Sequence, residues 1–446
     1  MNTVSSWIHQ LLHIKLKPIQ KNKKVLIITY YWPPSGGAGV QRWLKFSKYL
    51  HKFGWDPVVF TPGNPDVPVE DVSLTEEVHE SVQVLKIPIF EPSRVISFLG
   101  GKSSTTRMGA STKSRNKTSF LNRFVRWVRG NVFIPDARIT WVKPAVKFAN
   151  TWLSENPIDA IITTGPPHSM HLIGLGIKKA NPDLVWLSDF RDPWSDMDYL
   201  DDFHMGKRAK NKLIAMEKMV VQYSDKIIVT SPSVVNTLLD HSDKEKATLI
   251  PNGWDLKDFQ NIPASVQDST VFIIGHFGSL YGSRNAPGLW RAVKKWNQAE
   301  RMKIEIHLVG SVGDEIKLEV NKEKYVKFTP SLGHKQAVIK MMNCDALLLV
   351  QNATDAARKC TPGKVFEYIA CEKPLLSICN EPSDLASQLE NWGLPFCGHE
   401  DEDAVYEILK LITKKEGQHK VDPTLYERKA LTQKLATELN ILTKDR

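Results

Sequence analysis

Apolar residues fall along this 446-residue chain in short runs, separated by longer stretches with helical spacing. Val25-Leu-Ile-Ile-Thr29 predicts a buried first strand, and the periodic segment 40–53 predicts the helix after it. Further strands are predicted at 57–60, 84–87, 159–163, 185–188 and 226–230, with helical patterns after or between them. Strands alternating with helices imply a parallel sheet covered on both faces.

A second set of the same kind follows. Strands are predicted at 271–275, 304–309, 326–328, 346–350, 374–378 and near 395–397, with helices at 286–298, 335–343, 404–413 and 425–439. The break between the sets falls within 240–264, and the length suits two ordinary domains. The expected division is a basic amphipathic segment at 1–23, one Rossmann-like domain at 24–245, a second at 246–415, and a helical tail at 416–446. This is an α/β chain of two doubly wound lobes facing across a cleft. In such folds ligands bind at the carboxyl ends of the strands.

The formal charge is +10, and its placement says more than its size. Residues 1–135 hold 19 Lys/Arg against 8 Asp/Glu, so the excess belongs to the first third of the chain. No acidic residue precedes Asp56, and none lies between Glu91 and Asp136. One-sided charge suits an anionic partner such as a lipid surface. Nucleic acid is not expected, because no recognised binding module accompanies the charge.

Two segments sharpen that point. Trp7, Ile8, Leu11, Leu12 and Leu16 share one helical arc ahead of Lys17, Lys21, Lys23 and Lys24, which reads either as an interfacial anchor or as a helix packed on the domain. Residues 100–117 read as a mobile basic loop. Behind it, Phe120, Leu121, Phe124, Val125, Trp127 and Val128 line one side of a helix, with Arg123, Arg126 and Arg129 on the other. That helix is either a membrane-surface element or a domain helix whose apolar face packs on the sheet and whose arginines are merely solvated. No apolar run approaches the ~20 residues needed to span a bilayer, and no secretion signal is evident, so a cytoplasmic protein, peripheral on the inner face of a membrane, is expected. The five cysteines form no C-x-x-C pair and read as core thiols. Neither metal nor cofactor is expected; Asp196-Met-Asp198 has suggestive spacing but the wrong place in its loop.

Chemistry concentrates at Thr361-Pro-Gly-Lys-Val-Phe-Glu-Tyr368, after the apolar run 345–350. A strand ends, Pro362 and Gly363 turn, and a helix starts near Lys364. Main-chain N–H groups at a helix start, with a lysine beside them, suit an anion. Glu367, one turn in, either reaches a ribose diol or lies on a solvated face. Gly37 and Gly39, in Pro33-Pro-Ser-Gly-Gly-Ala-Gly39, permit close backbone approach, although the dinucleotide fingerprint spacing fails.

These residues, with Tyr30-Tyr-Trp-Pro-Pro34, Thr164-Gly-Pro-Pro-His-Ser169, Asp189-Phe-Arg-Asp-Pro-Trp194, Pro251-Asn-Gly253 and Phe277-Gly-Ser-Leu-Tyr-Gly282, resemble in order the family 4-like nucleotide-sugar glycosyltransferases of GT-B fold, in particular those of bacterial surface-polysaccharide assembly. The resemblance spans roughly residues 24 to 400. It implies transfer, with retention, of a sugar from a UDP- or GDP-linked donor to a glycan or lipid-linked acceptor, with the C-terminal helix returning to the first domain. It assigns donor binding to Gly37, Gly39, Gly278, Ser279, Arg284, Thr361, Pro362, Gly363, Lys364, Val365 and Glu367. His168, Arg191 and Asp192 take the catalytic places, with His168 facing the cleft and Arg191 pairing with Asp189 or Asp192 to organise the acceptor side or merely to shape the loop. Two departures stand out: Ser279 where many relatives carry Arg, and Lys359 where the first glutamate of the E-x7-E motif belongs. The alternative reading is a nucleotide-binding or scaffolding subunit without turnover.

Overall fold

The structure is a computed structural model that describes residues 22–67, 69–92, 120–239, 241–263, 270–414 and 421–444. The expected basic loop 100–117 and all but the last two residues of the expected segment 1–23 lie outside the described residues.

Two parallel sheets organise the chain. The first runs β3(Gln83–Ile87), β2(Trp55–Pro62), β1(Lys23–Ile28), β4(Ala160–Gly165), β5(Val185–Phe190), β6(Lys226–Val229) and β7(Ala247–Leu249). The second runs β10(Val326–Thr329), β9(Lys303–Val309), β8(Val271–Phe277), β11(Ala346–Val350), β12(Leu375–Ile378) and β13(Phe396–Cys397). The period of two along each strand divides the core into layers. Leu26 and Ile28 face one side of the first sheet, Val25 and Ile27 the other. Leu348 and Val350 likewise oppose Leu347 and Leu349 in the second. Both faces are covered, as parallel sheets require.

Strand order reverses between β1 and β4 in the first lobe and between β8 and β11 in the second. At such switch points crevices open beyond the strands' carboxyl ends. The expected site residues fall in the segments just beyond β1, β4, β5, β8 and β11.

Every predicted strand is present. β7 is an addition, a three-residue edge strand whose Leu249 is exposed, too short and half-polar to stand out in the sequence. After the second sheet the chain doubles back. Trp254 and Tyr426 pair by backbone, Trp254 N–H to Tyr426 O at 3.1 Å, and Arg428 N–H donates to Trp254 O at 2.8 Å. The helix Arg428–Leu442 then lays Leu431, Leu435 and Leu439 on the first lobe's core beside Val25, Ile27 and Trp43. Trp55 Nε1–H reaches Asn440 Oδ1 at 3.1 Å. Each of those leucines contributes roughly 1.5–3 kcal/mol by burial.

The helix Phe120–Asn131 packs on the segment that follows β5, not on the sheet. Arg129 stacks 4.8 Å from the Phe203 ring, and Gly130 lets Phe203 and Met205 approach closely. Phe124 and Trp127 stay exposed, stacked on one another with centroids 6.3 Å apart. Among the described residues no helix is long and apolar enough to cross a membrane.

Candidate functional site

The carboxyl end of β8 is held by the helix Lys364–Ala370 from two sides. The Phe277 N–H donates to the Tyr368 hydroxyl at 3.0 Å, and Lys364 Nζ donates to the Phe277 carbonyl at 2.7 Å. The next residue, Gly278, is exposed, with φ of +118°. The backbone conformation there requires glycine, and a Cβ would sit 2.9 Å from Lys364 Nζ, so a side chain would also push the ammonium aside. Arg284 shares the loop, with one guanidinium nitrogen donating to Ser279 O at 3.1 Å and its Nε buried without a partner among the described residues. Burial and then the nearby Arg284 push the Lys364 ammonium down to about 7, against the pull of Glu367. Two crowded cations at the end of a strand make a seat that an anion would relieve.

Glu367 stands one turn along. Its Oε1 lies 3.0 Å from His334 Nε2. Burial works to raise its pKa, but the His334 hydrogen bond and charge, with Arg428 and Lys364, hold the carboxyl below the usual range. Thr361, Pro362 and Gly363 are half-buried in the approach to this helix, and Gly363 lies against Asn252. Val365 differs from expectation. Its side chain is fully buried in the second lobe's core, and its N–H is bonded to Pro362 O at 3.1 Å, so it has nothing to offer a ligand.

The first lobe rearranges the expected roles more strongly. Asp189 does not pair with Arg191. It is fully buried and accepts from Arg42 Nε at 3.1 Å and NH2 at 2.9 Å, Trp43 Nε1 at 2.7 Å and Thr164 Oγ1 at 2.9 Å. Arg42 also donates to the carbonyls of Ile250 and Pro251, both at 2.9 Å. This pair therefore ties the helix Ala38–Leu50 to β5 and to the crossing chain. Burial works against its ionisation, yet Arg42 first and Arg191 next keep the carboxyl low.

Arg191 spends its donors on main chain: Gly165 O at 2.9 Å, Pro166 O at 2.5 Å and Gly39 O at 3.1 Å. It staples the turns beyond β1 and β4 together rather than pairing with a carboxylate. Gly39 is thereby fixed, with Tyr31 packed against it, while Gly37 is exposed with φ of +85° and open space where a side chain would be.

His168 is the clearest correction. It lies just beyond β4 as expected, but it is only 4% exposed, tilted against Trp194 at 5.1 Å and His171 at 5.8 Å. Neither ring nitrogen has a partner among the described residues. Burial, then His171 and Arg191, push its pKa well below the ordinary value, so the ring is neutral and walled from solvent. Asp192 faces the second lobe, 3.9 Å from Cys360 Sγ, and burial raises its pKa despite Arg191.

Other contacts join the lobes. Lys359 bonds to Asp196, and Ser231 Oγ donates to Lys359 O at 2.6 Å. Ser233 N–H and Oγ–H donate to Asp384 at 2.9 and 2.6 Å. A cavity of about 340 Å³ opens beside the lysine bridge, lined by Asp196, Met197, Lys210, Leu213 and Asp355. Sequence reading missed Arg42, His334, Tyr368 and Arg428. Arg42 carried a signal, as a charge amid the apolar face of Val40, Trp43, Leu44 and Phe46.

No protein-family model matches the sequence, and a search of curated proteins finds no match. Solved structures do match. Over 95% of its length the chain is similar to sucrose-phosphate synthase from Thermosynechococcus elongatus, with 14% identity, 97% of that chain covered and a TM-score of 0.52. Anabaena HepE in complex with UDP and glucose gives 14% identity, 95% and 98% coverage and a TM-score of 0.52. A putative UDP-N-acetylglucosamine 2-epimerase from Listeria monocytogenes gives 10% identity, 95% and 98% coverage and a TM-score of 0.57. At these identities the likeness shows the fold: two Rossmann-like lobes in the GT-B arrangement.

Proposed function

We propose that this protein is a glycosyltransferase that moves a sugar from a nucleotide-diphosphate donor to a glycan or lipid-linked acceptor. The observation that carries the reading is Lys364, held on the Phe277 carbonyl under a glycine at the end of β8, with Arg284 on the same loop. Two cations at a switch point suit a leaving diphosphate, whose developing charge they neutralise in a cleft of low dielectric. The Gly278 and Gly363 backbone flanks that seat, with Ser279 and Thr361–Gly363 completing its wall, and Glu367 receives the ribose. Gly37 and Gly39 form the opposing wall on the first lobe.

Retention follows if the departing phosphate takes the acceptor proton on the face it leaves. That route needs no protein base, which accords with a neutral, enclosed His168. Arg191 then acts by shaping the turns around Gly39 and Gly165, and Asp192 by facing the second lobe. HepE, one of the fold neighbours, was solved with UDP and glucose, which favours a UDP-linked donor; a GDP-linked one fits the same seat.

The acceptor side faces the cavity beside Asp196 and Lys210. Packed on Phe203 and Met205, which follow Asp196 in the chain, the helix Phe120–Asn131 offers Phe124 and Trp127 to solvent beside Arg123 and Arg126, a pattern suited to an anionic membrane and a lipid-linked acceptor. Polysaccharide assembly at the inner face of a bacterial membrane is the setting this suggests.

Lys359, which bridges to Asp196 where relatives are expected to carry an acid, favours the second reading, a nucleotide-binding subunit without turnover. Incubation with UDP- and GDP-sugars separates them. Slow donor hydrolysis, abolished by Lys364→Ala, supports the transferase, while nucleotide binding with neither hydrolysis nor transfer supports the subunit. Interconversion of the donor's sugar without an acceptor would instead mark an epimerase.

A further inference from the structure

A chain of ion pairs runs from the half-buried Glu367 and His334 through Asp258 to the buried Lys45 of the first lobe. His334 begins the helix His334–Met342, and its two nitrogens face carboxylates on either side: Glu367 at 3.0 Å from Nε2 and Asp258 at 3.8 Å from Nδ1. Asp258 belongs to the crossing segment Leu256–Phe259 and accepts from Lys45 Nζ at 2.9 Å. Lys45 projects from the helix Ala38–Leu50 of the first lobe, is 2% exposed at its side chain, and also bonds Glu77 at 2.6 Å and Asp255 at 3.4 Å. Lys48 reaches Asp255 and Glu77 at 3.5 and 3.7 Å, and Tyr49 donates to Asp255 at 2.9 Å. Arg428, from the returning helix, interacts with Glu367, Asp255 and Asp258.

His334 sits between two carboxylates, Glu367 and Asp258; a protonated ring donates toward both, whereas a neutral ring has one N–H and serves only one of them.

We infer that His334 is a positioning residue that ties Glu367 to Asp258 and, through Lys45, to the first lobe, so that one imidazole sets both the carboxylate at the donor seat and the contact between lobes. Loss of the ring's proton removes the attraction on both sides at once and frees Glu367 to turn. The groups facing the ring set its behaviour. Burial works to lower its pKa, but Glu367 and Asp258 outweigh burial and Lys45 and hold it above the ordinary histidine value. A raised pKa gives stability that is fully present below the unfolded value near 6.5 and is lost as pH rises through the folded value. That Glu367 faces a donor rests on the function proposed above; the ion-pair link does not.

The test compares full-length protein with His334→Gln, which keeps a neutral donor at that place, by thermal midpoint from pH 5.5 to 9. The expected gap is about 2 °C or more at pH 5.5 and closes toward pH 9. A gap of the same size at both ends overturns the inference. If His334→Gln does not fold, Asp258→Asn alone serves the same comparison, because removing the ring's second partner also lessens the pH dependence; a curve with the wild-type slope overturns the inference. Where both fold, the double variant should cost less than the two singles together, and strict additivity counts against the link. With a turning-over donor, His334→Gln should raise KM several-fold with kcat little changed, and an unchanged KM would remove the donor half of the inference. A wild type that no nucleotide diphosphate stabilises would defeat the proposed function while leaving the pH-dependent gap intact.

Discussion

Lys364 and Gly278 share one small space: the lysine's Nζ occupies the room that any side chain at position 278 would need, 2.9 Å from where its Cβ would stand. The strand end, the glycine and the cation are therefore one device. Gly278→Ala should displace the ammonium and strain a backbone at φ +118°, costing about 1–3 kcal/mol. The folded variant should lose most of the stabilisation that millimolar UDP or GDP gives the wild type, read by thermal shift. Wild-type response would disprove this arrangement.

The depressed Lys364 gives the binding a pH signature. A bound dianion favours the ammonium, so below about 7 the lysine is already charged and above it binding must take up a proton. Affinity for a nucleotide diphosphate should fall by up to about tenfold per pH unit above 7, the limit for one proton. Calorimetry between pH 6 and 9 measures this directly. Lys364→Arg, charged throughout, should flatten much of the slope.

Arg42 and Asp189 set the first lobe's geometry from its interior. Arg42→Met leaves a buried carboxylate unpaired and should destabilise by about 3–5 kcal/mol, measured by urea unfolding. The Asp189 pKa is depressed, so its contribution is present above the unfolded carboxylate value and is lost as pH falls through the lower folded value. Asp189→Asn should flatten the acid limb of the stability curve.

Lys359 and Asp196 form a pair that is half-exposed on both sides, at 38% and 45%. Such pairs contribute about 0–1 kcal/mol. Lys359→Ala should therefore leave the unfolding midpoint nearly unchanged, and any loss of transfer it causes reports on the space between the lobes rather than on folding.

Phe124 and Trp127 predict a membrane contact. Vesicles with anionic lipid should float the wild type, and Phe124→Ser with Trp127→Ser should abolish flotation, as should neutralising Arg123 and Arg126 together. Equal flotation of all forms would argue that the exposed pair serves another partner.

The sheets were legible because strands such as 25–29 and 346–350 are continuous apolar runs with helices between them, a pattern only a covered parallel sheet satisfies. Lys364 and Glu367 were legible because seven consecutive residues build their turn. The Glu367–His334–Asp258–Lys45 chain was not, since its members come from four separated segments and acquire meaning only when the lobes meet. His168 and Asp189 were read as rim residues because both lie at strand ends; whether a side chain there turns outward or under its neighbours depends on packing by Trp194 and Arg42, from distant stretches.

Titration of the wild type and Lys364→Ala with UDP and GDP, followed by thermal shift, shows whether this lysine holds a nucleotide diphosphate. At least one nucleotide should raise the wild-type midpoint in a concentration-dependent way, and the variant, still folded, should lose most of that rise. A variant stabilised as strongly as the wild type would contradict it.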